Sequence, residues 1–466
     1  MNNNLPPDSP IQQLTQIFGS NGLLTDPAEC WSYGYDNSKK HAQPDAVVFA
    51  TEHDQVLQLI ELCNKNNIAL VARGRGSGTT GATVPLKKGI VLSLERMNKI
   101  INIDPDNRVV TAQPGVTNQE LQQAVAEHGF FWPPDPTSAA FCTIGGNLAY
   151  NSAGPRAVKY GTPRENILGL KAITGKGDEL ITGTYTTKGV VGYDLTRLIV
   201  GSEGTLAVIT EATLKLTPLP EDKRVLRAIY DDMHSAAKAV SAIMAQPFTP
   251  CALEFIDGTA INMVRDFSKA DLPQNAGAML MIEIDGPTSS LADGVKKIEA
   301  AATNSGLLSF IQPKTKDEIA ELWATRKALS PALRNVAPKK INEDVVVPVS
   351  EIPTLIDSLE QLSQKYEIKI VNFGHAGNGN IHVNLLVDPD DPVQAENADK
   401  CLDEVFTTVI ELNGTISGEH GVGIAKRDFV DREIPANALN YMYDIKKIFD
   451  PNGILNADKT LPLRKL

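Results

Sequence analysis

The feature that most constrains the fold is a glycine-rich loop, residues 73–81, that directly follows a β-α-β pattern. Residues 46–50 and 68–72 are short apolar runs that predict buried strands, and apolar residues recur between them at helical spacing. The loop reads Arg-Gly-Arg-Gly-Ser-Gly-Thr-Thr-Gly and begins where the second strand of this unit ends. Phosphate binding and a flexible surface loop are the two interpretations to be separated.

The loop contains a formal Gly-x-Gly-x-x-Gly, from Gly76 to Gly81, but its context excludes a Rossmann nucleotide site. In a Rossmann fold these glycines open a helix, whereas residues 82–94 include Pro85 and Gly89 and end in a β-like run. Successive backbone N–H groups can still form an anion-binding nest, and arginines add positive charge. Because Arg, Ser and Thr are interleaved with the glycines, we expect this loop to wrap a pyrophosphate.

Most of the ionisable chemistry lies in the C-terminal third, in residues 372–382 and 414–423, which together hold three of the seven histidines. His375 and His382 flank a turn rich in Gly and Asn, and such a turn can bring both imidazoles to one point. Glu419 adds a carboxylate, and two His with one carboxylate form a metal site that leaves positions open for substrate. Incidental histidines in tight turns are the alternative.

The Glu419–His420 pair in a second glycine-rich turn favours the functional interpretation. If Glu419 is a metal ligand, His420 remains available as an acid or a base. The two stretches therefore predict a metal-assisted catalytic site.

Composition excludes several classes of function. Lys and Arg number 44 against 56 Asp and Glu, so the net charge is 44 − 56 = −12, and no long block of like charge is present. Nucleic acid is therefore not expected as a partner. The five cysteines are widely spaced and form no Cys-x-x-Cys, which excludes an encoded iron–sulfur cluster and a disulfide framework.

The N-terminus lacks a basic region followed by an apolar core, and no apolar run approaches the ~20 residues that span a bilayer. We therefore expect a cytoplasmic protein, with docking on the inner membrane surface left open.

The chain divides by pattern near Pro220. Before it lie an N-terminal helix that Ser9 can cap, short strands, and a long Gly/Asn/Ser-rich region at residues 132–154 that we expect to be irregular and functional. After it come two rounds of strand, helix and strand, which predict an α+β region with a mostly antiparallel sheet. Residues 319–333 read as a helix that carries Arg326.

These segments together resemble the FAD-linked D-2-hydroxy-acid dehydrogenases of the vanillyl-alcohol-oxidase fold, from about residue 46 to residue 459. Members include D-lactate dehydrogenases, the flavin subunit of glycolate oxidase and D-2-hydroxyglutarate dehydrogenases. The resemblance implies an α+β chain: an FAD-binding domain at residues 1–220, an α+β substrate or cap domain at residues 221–415 with a mostly antiparallel sheet, and a segment at residues 416–466 that returns to the FAD domain.

The resemblance also implies a set of residues that contact FAD. These are Arg73, Gly74, Arg75, Gly76, Ser77, Gly78, Pro134, Asp135, Thr137, Ser138, Cys142, Thr143, Gly145, Gly146, Asn147, Asn151, Gly154, Glu203, Gly204, Ile209 and Asn456. Relatives with covalent flavin carry a suitable His in the flavin-binding segments, and none lies in residues 73–81. We therefore expect non-covalent FAD.

By the same resemblance, His375, His382 and Glu419 bind a divalent metal, with Zn first and Mn or Fe as alternatives. His420 acts as the general base, Asn380 hydrogen-bonds the substrate oxygen, and Arg326 clamps the substrate carboxylate; Lys340 is a further cation that would favour a dicarboxylate.

The implied reaction is oxidation of a small D-2-hydroxy acid, D-lactate first, to the 2-oxo acid. The alternatives are glycolate or D-2-hydroxyglutarate as substrate, an oxygen-using flavin alcohol oxidase, and a binding protein that keeps FAD only structurally. Because the chain encodes no further redox centre, electrons leave to a quinone, a cytochrome, an electron-transfer flavoprotein or a partner subunit. A homodimer is also compatible with the sequence.

Overall fold

The computed structural model describes residues 9–265 and 272–464 of the 466-residue chain. The chain divides into two compact units. Unit 1 comprises Met1–Gly154, Gly161–Leu219 and Glu419–Leu466, and unit 2 comprises Pro155–Tyr160 and Pro220–Gly418. Residues 155–160 and 416–418 fall in unit 2, although the predicted boundaries assign them to the flavin-binding part.

The strands are β1 (Leu23–Leu24), β2 (Ala46–Phe49), β3 (Leu70–Arg73), β4 (Ile90–Ser93), β5 (Ile100–Asp104), β6 (Val109–Ala112), β7 (Phe130–Phe131), β8 (Ile167–Thr174), β9 (Glu179–Gly183), β10 (Ala207–Lys215), β11 (Thr217–Pro218), β12 (Asp222–Tyr230), β13 (Ala252–Asp257), β14 (Ala278–Gly286), β15 (Leu307–Ile311), β16 (Lys339–Val346), β17 (Lys369–His375) and β18 (Asn380–Val387).

The helices are α1 (Pro10–Phe18), α2 (Pro27–Trp31), α3 (His53–Asn66), α4 (Asn118–Ala126), α5 (Ile144–Tyr150), α6 (Ala157–Tyr160), α7 (Leu195–Ile199), α8 (Met233–Ala245), α9 (Gly258–Val264), α10 (Thr288–Ala302), α11 (Lys316–Val336), α12 (Ile352–Tyr366), α13 (Pro392–Glu411), α14 (Val430–Glu433) and α15 (Ala436–Phe449).

The first sheet of unit 1 has the order β1-β2-β4-β3, in which β4 pairs in parallel with both β2 and β3. Helix α3 connects β2 to β3, so the predicted β-α-β unit is present. Its apolar side chains, among them Leu59 and Ile60, pack under the sheet with Leu92. The segment between β3 and β4 contains no helix, in agreement with the exclusion of a Rossmann site.

The second sheet of unit 1 is antiparallel, with the order β5-β6-β10-β8-β9. Its inner face carries a core that includes Trp132, Ile144 and Leu148. The C-terminal tail returns to the first sheet, because Leu455 forms a bridge with Leu70 and the N–H of Asn456 donates to the Leu70 carbonyl at 2.8 Å.

The prediction that residues 132–154 are irregular throughout is wrong at α5. Thr143 caps this helix by accepting the N–H of Gly146 at 3.3 Å, and Asn151 ends it in the left-handed conformation. Gly145 lies so close to Pro114 that a Cβ would approach the proline ring within 2.5 Å. The glycines therefore allow a helix to pack tightly, which a propensity argument does not anticipate.

Unit 2 is built on one antiparallel sheet of order β15-β12-β14-β13-β17-β18-β16, which confirms the predicted α+β architecture of the second region. Helices α9 and α11 cover one face, where Ile256, Leu329 and Phe373 meet in one apolar cluster. Helix α8 contacts α10 and α12, and α12 contacts α13. Each strand therefore presents alternate residues toward the α9–α11 layer.

Two short segments join unit 2 through side chains of its sheet. Lys159 and Tyr160 both bind the buried carboxylate of Asp285, the tyrosine hydroxyl donating at 2.8 Å. The N–H of Gly418 donates to the carbonyl of Asp344 at 2.9 Å and to its carboxylate at 3.0 Å. These polar contacts explain why both segments lie with the sheet.

Three further sequence predictions concern the Ser9 cap, the cysteines and membrane-spanning helices. Ser9 precedes α1 as predicted, but its side chain makes no capping hydrogen bond. All five cysteines are buried and free. Within the described ranges, no helix combines the length and apolarity that crossing a bilayer requires.

Candidate functional site

Unit 1 brings together all of the residues predicted to contact FAD, beginning with the loop at residues 73–81. Gly76 has φ +69°, and a Cβ there would lie 2.1 Å from the Arg73 guanidinium. A Cβ on Gly78 would lie 2.4 Å from the Tyr150 hydroxyl. In the described part of the chain, the N–H groups of residues 75–78 donate to no protein atom. A row of free amides in a tight loop fits the diphosphate of a dinucleotide.

The expectation that both arginines add charge to this loop is corrected. Arg73 is buried, and its guanidinium donates to the carbonyls of Tyr33 at 2.8 Å and Tyr35 at 3.1 Å. Burial lowers the pKa of Arg73 despite nearby acidic groups. Arg75, in contrast, is exposed and lines a cavity of about 700 Å³ with Ser77 and Ser138. Arg75 is therefore the arginine available to an anion.

The segment before α5 carries further predicted contacts. The Pro134 carbonyl accepts from the Asn118 amide at 2.9 Å, and the Asp135 N–H donates to the Ala153 carbonyl at 2.8 Å. Gly154, with φ +105°, packs so closely that a Cβ would contact the Asp135 backbone. Thr137 is exposed. The chain therefore folds back between Asp135 and Gly154.

Several predicted cofactor residues are held by protein contacts. Cys142 is buried, and burial raises the pKa of its thiol, so it is chemically inert. Asn147 bonds Asn118 and Ser152 through its amide. The Asn151 side chain accepts from Thr162 and Arg164. These side chains fix the backbone of α5 and its flanks.

Glu203 and Asn456 join three chain segments. The buried Glu203 carboxylate accepts the N–H groups of Val422 at 2.5 Å and Gly423 at 2.7 Å. The Asn456 amide donates to the Glu203 carbonyl at 2.5 Å and accepts from Lys459 at 2.6 Å. Of their neighbours, Gly204 has φ +70° and Ile209 lies in the core of the second sheet. The Glu203 carboxylate thus anchors the turn that carries His420.

Glu419 and His420 open that turn. Glu419 accepts the N–H of Gly154 through Oε2 at 3.0 Å, and its Oε1 lies 3.8 Å from Nε2 of His420. The His420 carbonyl accepts from the Thr80 hydroxyl at 3.4 Å. The Glu419 side chain and the His420 backbone are therefore each tied to a glycine-rich segment of unit 1.

Unit 2 brings together the histidine pair. His375 ends β17 and lies opposite Asn380 on β18, and a short turn at Ala376–Asn378 joins the strands. Gly379 has φ +75°, and a Cβ there would lie 1.8 Å from the Val347 carbonyl. The rings of His375 and His382 stand nearly perpendicular with centroids 5.2 Å apart. The predicted fold-back of the turn is thus present.

The same sheet face carries three more polar residues. Strand alternation places Glu254 of β13 and Asp344 of β16 on the face of the two histidines, since Glu254 pairs with His375 and Asp344 with His382. Arg326 reaches this face from α11 and donates through Nε to Glu254 Oε2 at 2.9 Å. Its guanidinium lies 4.8 Å from the centre of the Phe373 ring.

The Glu254 carboxylate also meets His375, with Oε1 2.5 Å from Nδ1. Burial raises the pKa of Glu254, but its interactions with His375 and Arg326 lower it by more, so this pKa lies below the ordinary value. Asn380 uses one amide N–H on the Val345 carbonyl at 3.1 Å. Its second N–H and its oxygen are what it can offer a ligand.

The histidine pair fits a divalent metal. The ligand-capable atoms of His375 and His382 lie within 4.8 Å of each other. Nδ1 of His375 faces the Glu254 carboxylate, so Nε2 lies on the opposite side of the ring from that carboxylate. Two imidazoles with one carboxylate form a familiar donor set for Zn²⁺.

Sequence reasoning missed Glu254, Asp344 and Lys459. Glu254 is the one charged residue in the run Cys-Ala-Leu-Glu-Phe-Ile, and that lone acid in a buried strand was a usable signal. Asp344 follows Glu343 before a valine run, and only the register shows that it faces His382. Burial lowers the pKa of Lys459 to about 7. Lys459 is buried because the C-terminal tail returns to unit 1, and the local sequence does not encode this return.

Comparison with known proteins agrees with this arrangement. The profile described as "FAD binding domain" matches residues 44–183, and that of "FAD linked oxidases, C-terminal domain" matches residues 219–460. The chain is 38% identical to glycolate oxidase subunit GlcD of Bacillus subtilis, over 96% of each chain. It is 32% identical to D-lactate dehydrogenase of Anaerostipes hadrus, over 90% of each chain.

A further relative is D-2-hydroxyglutarate dehydrogenase of Stutzerimonas stutzeri, 31% identical over 96% of this chain and 98% of the relative. The chain therefore belongs to the FAD-linked oxidase family, and the resemblance seen in the sequence is confirmed. Among solved structures, p-cresol methylhydroxylase superposes with a TM-score of 0.80 at 18% identity, covering 98% of this chain and 97% of the other. The fold is the vanillyl-alcohol-oxidase type.

Proposed function

We propose that this protein oxidises a small D-2-hydroxy acid, D-lactate first, to its 2-oxo acid with non-covalent FAD and a bound divalent metal. One observation carries the proposal: His375 and His382 stand together on a buried sheet face, with a carboxylate against Nδ1 of His375. An aryl-alcohol oxidase has no need of such a pair. Relatives named for glycolate, D-lactate and D-2-hydroxyglutarate, all 2-hydroxy acids, support the substrate class.

The flavin supplies the redox chemistry, because FAD accepts a hydride and no protein side chain can. The free N–H groups of residues 75–78 and the side chain of Arg75 bind the diphosphate. The other predicted segments of unit 1 hold the backbone around the cofactor. Asn456 contributes by tying the C-terminal tail to Glu203.

Nε2 of His375, an imidazole nitrogen of His382 and the carboxylate of Glu419 form the proposed metal ligands. Asp344 supports the inclusion of Glu419, because it pairs with His382 and accepts the N–H of Gly418 at 3.0 Å. Glu419 follows Gly418 directly, and consecutive Cα atoms are about 3.8 Å apart. A divalent ion held there, Zn²⁺ first and Mn²⁺ or Fe²⁺ as alternatives, supplies Lewis-acid chemistry toward the substrate hydroxyl.

The protein groups divide the remaining work. The imidazole of His420 accepts the hydroxyl proton at a ring nitrogen, a role suited to neutral pH. Arg326 binds the substrate carboxylate through the guanidinium nitrogens that Glu254 leaves available. Asn380 hydrogen-bonds the substrate oxygen with its second N–H.

Glycolate and D-2-hydroxyglutarate are the alternative substrates of the same site. Lys340 bears on the choice: it lies four residues before Asp344 on β16, and strand alternation places both on one face. A lysine that reaches a second carboxylate would favour a dicarboxylate. The electron acceptor is a quinone, a cytochrome, an electron-transfer flavoprotein or a partner subunit, reached in the cytoplasm or at the inner membrane surface.

Chelation tests the proposal. Treatment with a chelator should abolish most turnover while the flavin absorbance stays in place, and His382→Ala should reproduce this result. His234→Ala, which alters an exposed histidine of the same unit, should keep wild-type metal content and turnover. An active preparation that contains no metal by elemental analysis would reject the metal-assisted reaction.

A further inference from the structure

Glu254 links two parts of the proposed site through one buried carboxylate. Its side chain is almost fully buried, at 1% exposure. Oε1 lies 2.5 Å from Nδ1 of His375, and Oε2 lies 2.9 Å from Nε of Arg326. Each carboxylate oxygen therefore holds a different functional group.

We propose that Glu254 is a positioning residue that fixes the metal-binding nitrogen of His375 and the orientation of Arg326 at the same time. The inference rests on the proposed function, since it assumes that His375 binds a metal and Arg326 binds substrate. Glu254 itself touches neither ligand.

Glu254 orients the imidazole of His375. An ionised carboxylate can only accept hydrogen bonds, so Nδ1 of His375 must carry the proton that points at Glu254. In the neutral ring protonated at Nδ1, the in-plane lone pair lies on Nε2, and a metal binds an imidazole through the nitrogen that carries this lone pair. A carboxylate behind a ligating histidine also fixes the ring plane, and loss of such partners typically weakens metal binding by about 10–100-fold.

Glu254 also orients the guanidinium of Arg326. A buried carboxylate needs a charged partner, and the guanidinium of Arg326 is that partner for Glu254 through its Nε nitrogen. The guanidinium also stacks over Phe373, whose ring centre lies 5.8 Å from that of His382. The guanidinium is thus held in one plane, and Glu254 bonds only its Nε nitrogen.

A joint role follows from this geometry. The substrate's hydroxyl and its carboxylate must be bound at a fixed separation, and the two protein groups proposed for them share one carboxylate. Removal of Glu254 should therefore weaken both zinc affinity and substrate affinity, whereas loss of Arg326 alone should mainly affect the substrate.

Glu283 provides a matched control. It is a buried glutamate of the neighbouring strand β14, paired with Lys223 at 3.2 Å, and the structure places it with neither histidine. Glu254→Gln and Glu283→Gln make the same chemical change at similar depth in the same sheet. A purely structural effect should appear in both variants.

Zinc affinity of the metal-depleted, FAD-loaded protein should be measured by competition with a chromophoric chelator. We expect Glu254→Gln to bind Zn²⁺ about 10–100-fold more weakly and to raise KM for D-lactate, with retained FAD. Glu283→Gln should keep wild-type zinc affinity. Equal zinc affinities of wild type and Glu254→Gln, or equal losses in both variants, would overturn the proposal.

A second variant covers loss of folding. If Glu254→Gln fails to retain FAD, Glu254→Asp keeps the charge but shortens the arm by one methylene, so it should fold and still bind Zn²⁺ more weakly than wild type. Wild-type zinc affinity in Glu254→Asp would then overturn the positioning role. If wild type and His382→Ala both bind no Zn²⁺, the proposed function itself fails, which is a distinguishable result.

Discussion

The turn at Glu419 carries two adjacent residues for which different roles are proposed. Glu419 offers a carboxylate whose Oε2 already accepts from Gly154, while the His420 backbone is held by Thr80 and its ring lies beside Oε1 of Glu419. One dipeptide thus supplies a proposed metal ligand and a proposed base. Because the two proposed roles are chemically distinct, single substitutions should change the metal content and the rate of flavin reduction separately.

Glu419→Gln should lose metal, since a neutral amide is a poor ligand for a divalent ion, while His420→Ala should keep metal and FAD. His420→Ala should slow flavin reduction by about 10²–10⁴-fold, the usual contribution of a general base. Elemental analysis and anaerobic stopped-flow absorbance measure the two quantities. The assignment is wrong if His420→Ala reduces its flavin at the wild-type rate, or if it loses metal while Glu419→Gln keeps it.

Asp257 makes unit 2 sensitive to pH. It caps α9 by accepting the N–H of Ala260 at 2.6 Å and also accepts the N–H of Asn372 at 2.6 Å. Burial raises the pKa of Asp257 to about 6, and the hydrogen bonds from these N–H groups offset part of that rise. The folded state therefore binds the proton more tightly than the unfolded state does. Stability from this group is present below about pH 4 and is lost as pH rises through 6.

Asp257→Asn removes this titration. The stability of wild type relative to the variant should fall by on the order of 3 kcal/mol between pH 4 and pH 7, with most of the change below pH 6.5. Melting temperatures of the two proteins, measured in parallel across this range, provide the test. A difference that is constant with pH would contradict the raised pKa.

At the scale of elements, the turn after β3 depends on glycine. Gly76 has φ +69° with the Arg73 guanidinium 2.1 Å from an added Cβ, whereas Gly19 has a similar φ of +67° and nothing within 4 Å. At both positions an L-residue would be strained by the positive φ, but only Gly76 lacks space for a side chain. Comparing them isolates the effect of crowding in the loop.

Gly76→Ala should therefore lose FAD during gel filtration, because the added methyl displaces the loop from the geometry that binds the diphosphate. Gly19→Ala should retain FAD at wild-type stoichiometry, with at most a modest loss of stability. The ratio of flavin to protein absorbance after gel filtration gives the answer. Full FAD occupancy in Gly76→Ala would remove the loop from the cofactor site.

The elements also show what local sequence can predict. Helix α3 and strands β2 to β6 were predictable because their apolar spacing is regular and they are bounded by turn residues. Helix α5 was missed because it contains two glycines, and its stability comes from the Thr143 cap and close packing on Pro114. In α5, tertiary packing therefore outweighs the low helix propensity of glycine.

At the scale of the whole molecule, the histidine turns were recognisable from their residues, whereas the groups that hold them were not. Glu254 precedes His375 by 121 positions and Arg326 by 72, so their contacts arise only from strand pairing and from the placement of α11. The same holds for Glu203, whose carboxylate reaches Val422 and Gly423 across 219 and 220 positions. Long-range register of this kind has no local signal.

In the proposed reaction, the flavin of this protein takes electrons from a D-2-hydroxy acid. Unit 1 holds most of the segment that matches an FAD-binding domain, and unit 2 holds the histidine pair that is proposed to bind a metal. Both halves must operate for a 2-hydroxy acid to reduce the flavin. The claim can therefore be tested on the intact protein without an electron acceptor.

The purified, FAD-loaded, metal-replete protein should be mixed anaerobically with D-lactate, L-lactate, glycolate, D-2-hydroxyglutarate or an aryl alcohol, and the flavin absorbance followed by stopped flow. We predict rapid bleaching by D-lactate, or by one of the other two acids of the proposed class, and none by L-lactate or the aryl alcohol. The proposed function would be contradicted if the flavin stayed oxidised with D-lactate, glycolate and D-2-hydroxyglutarate, or if only the aryl alcohol bleached it.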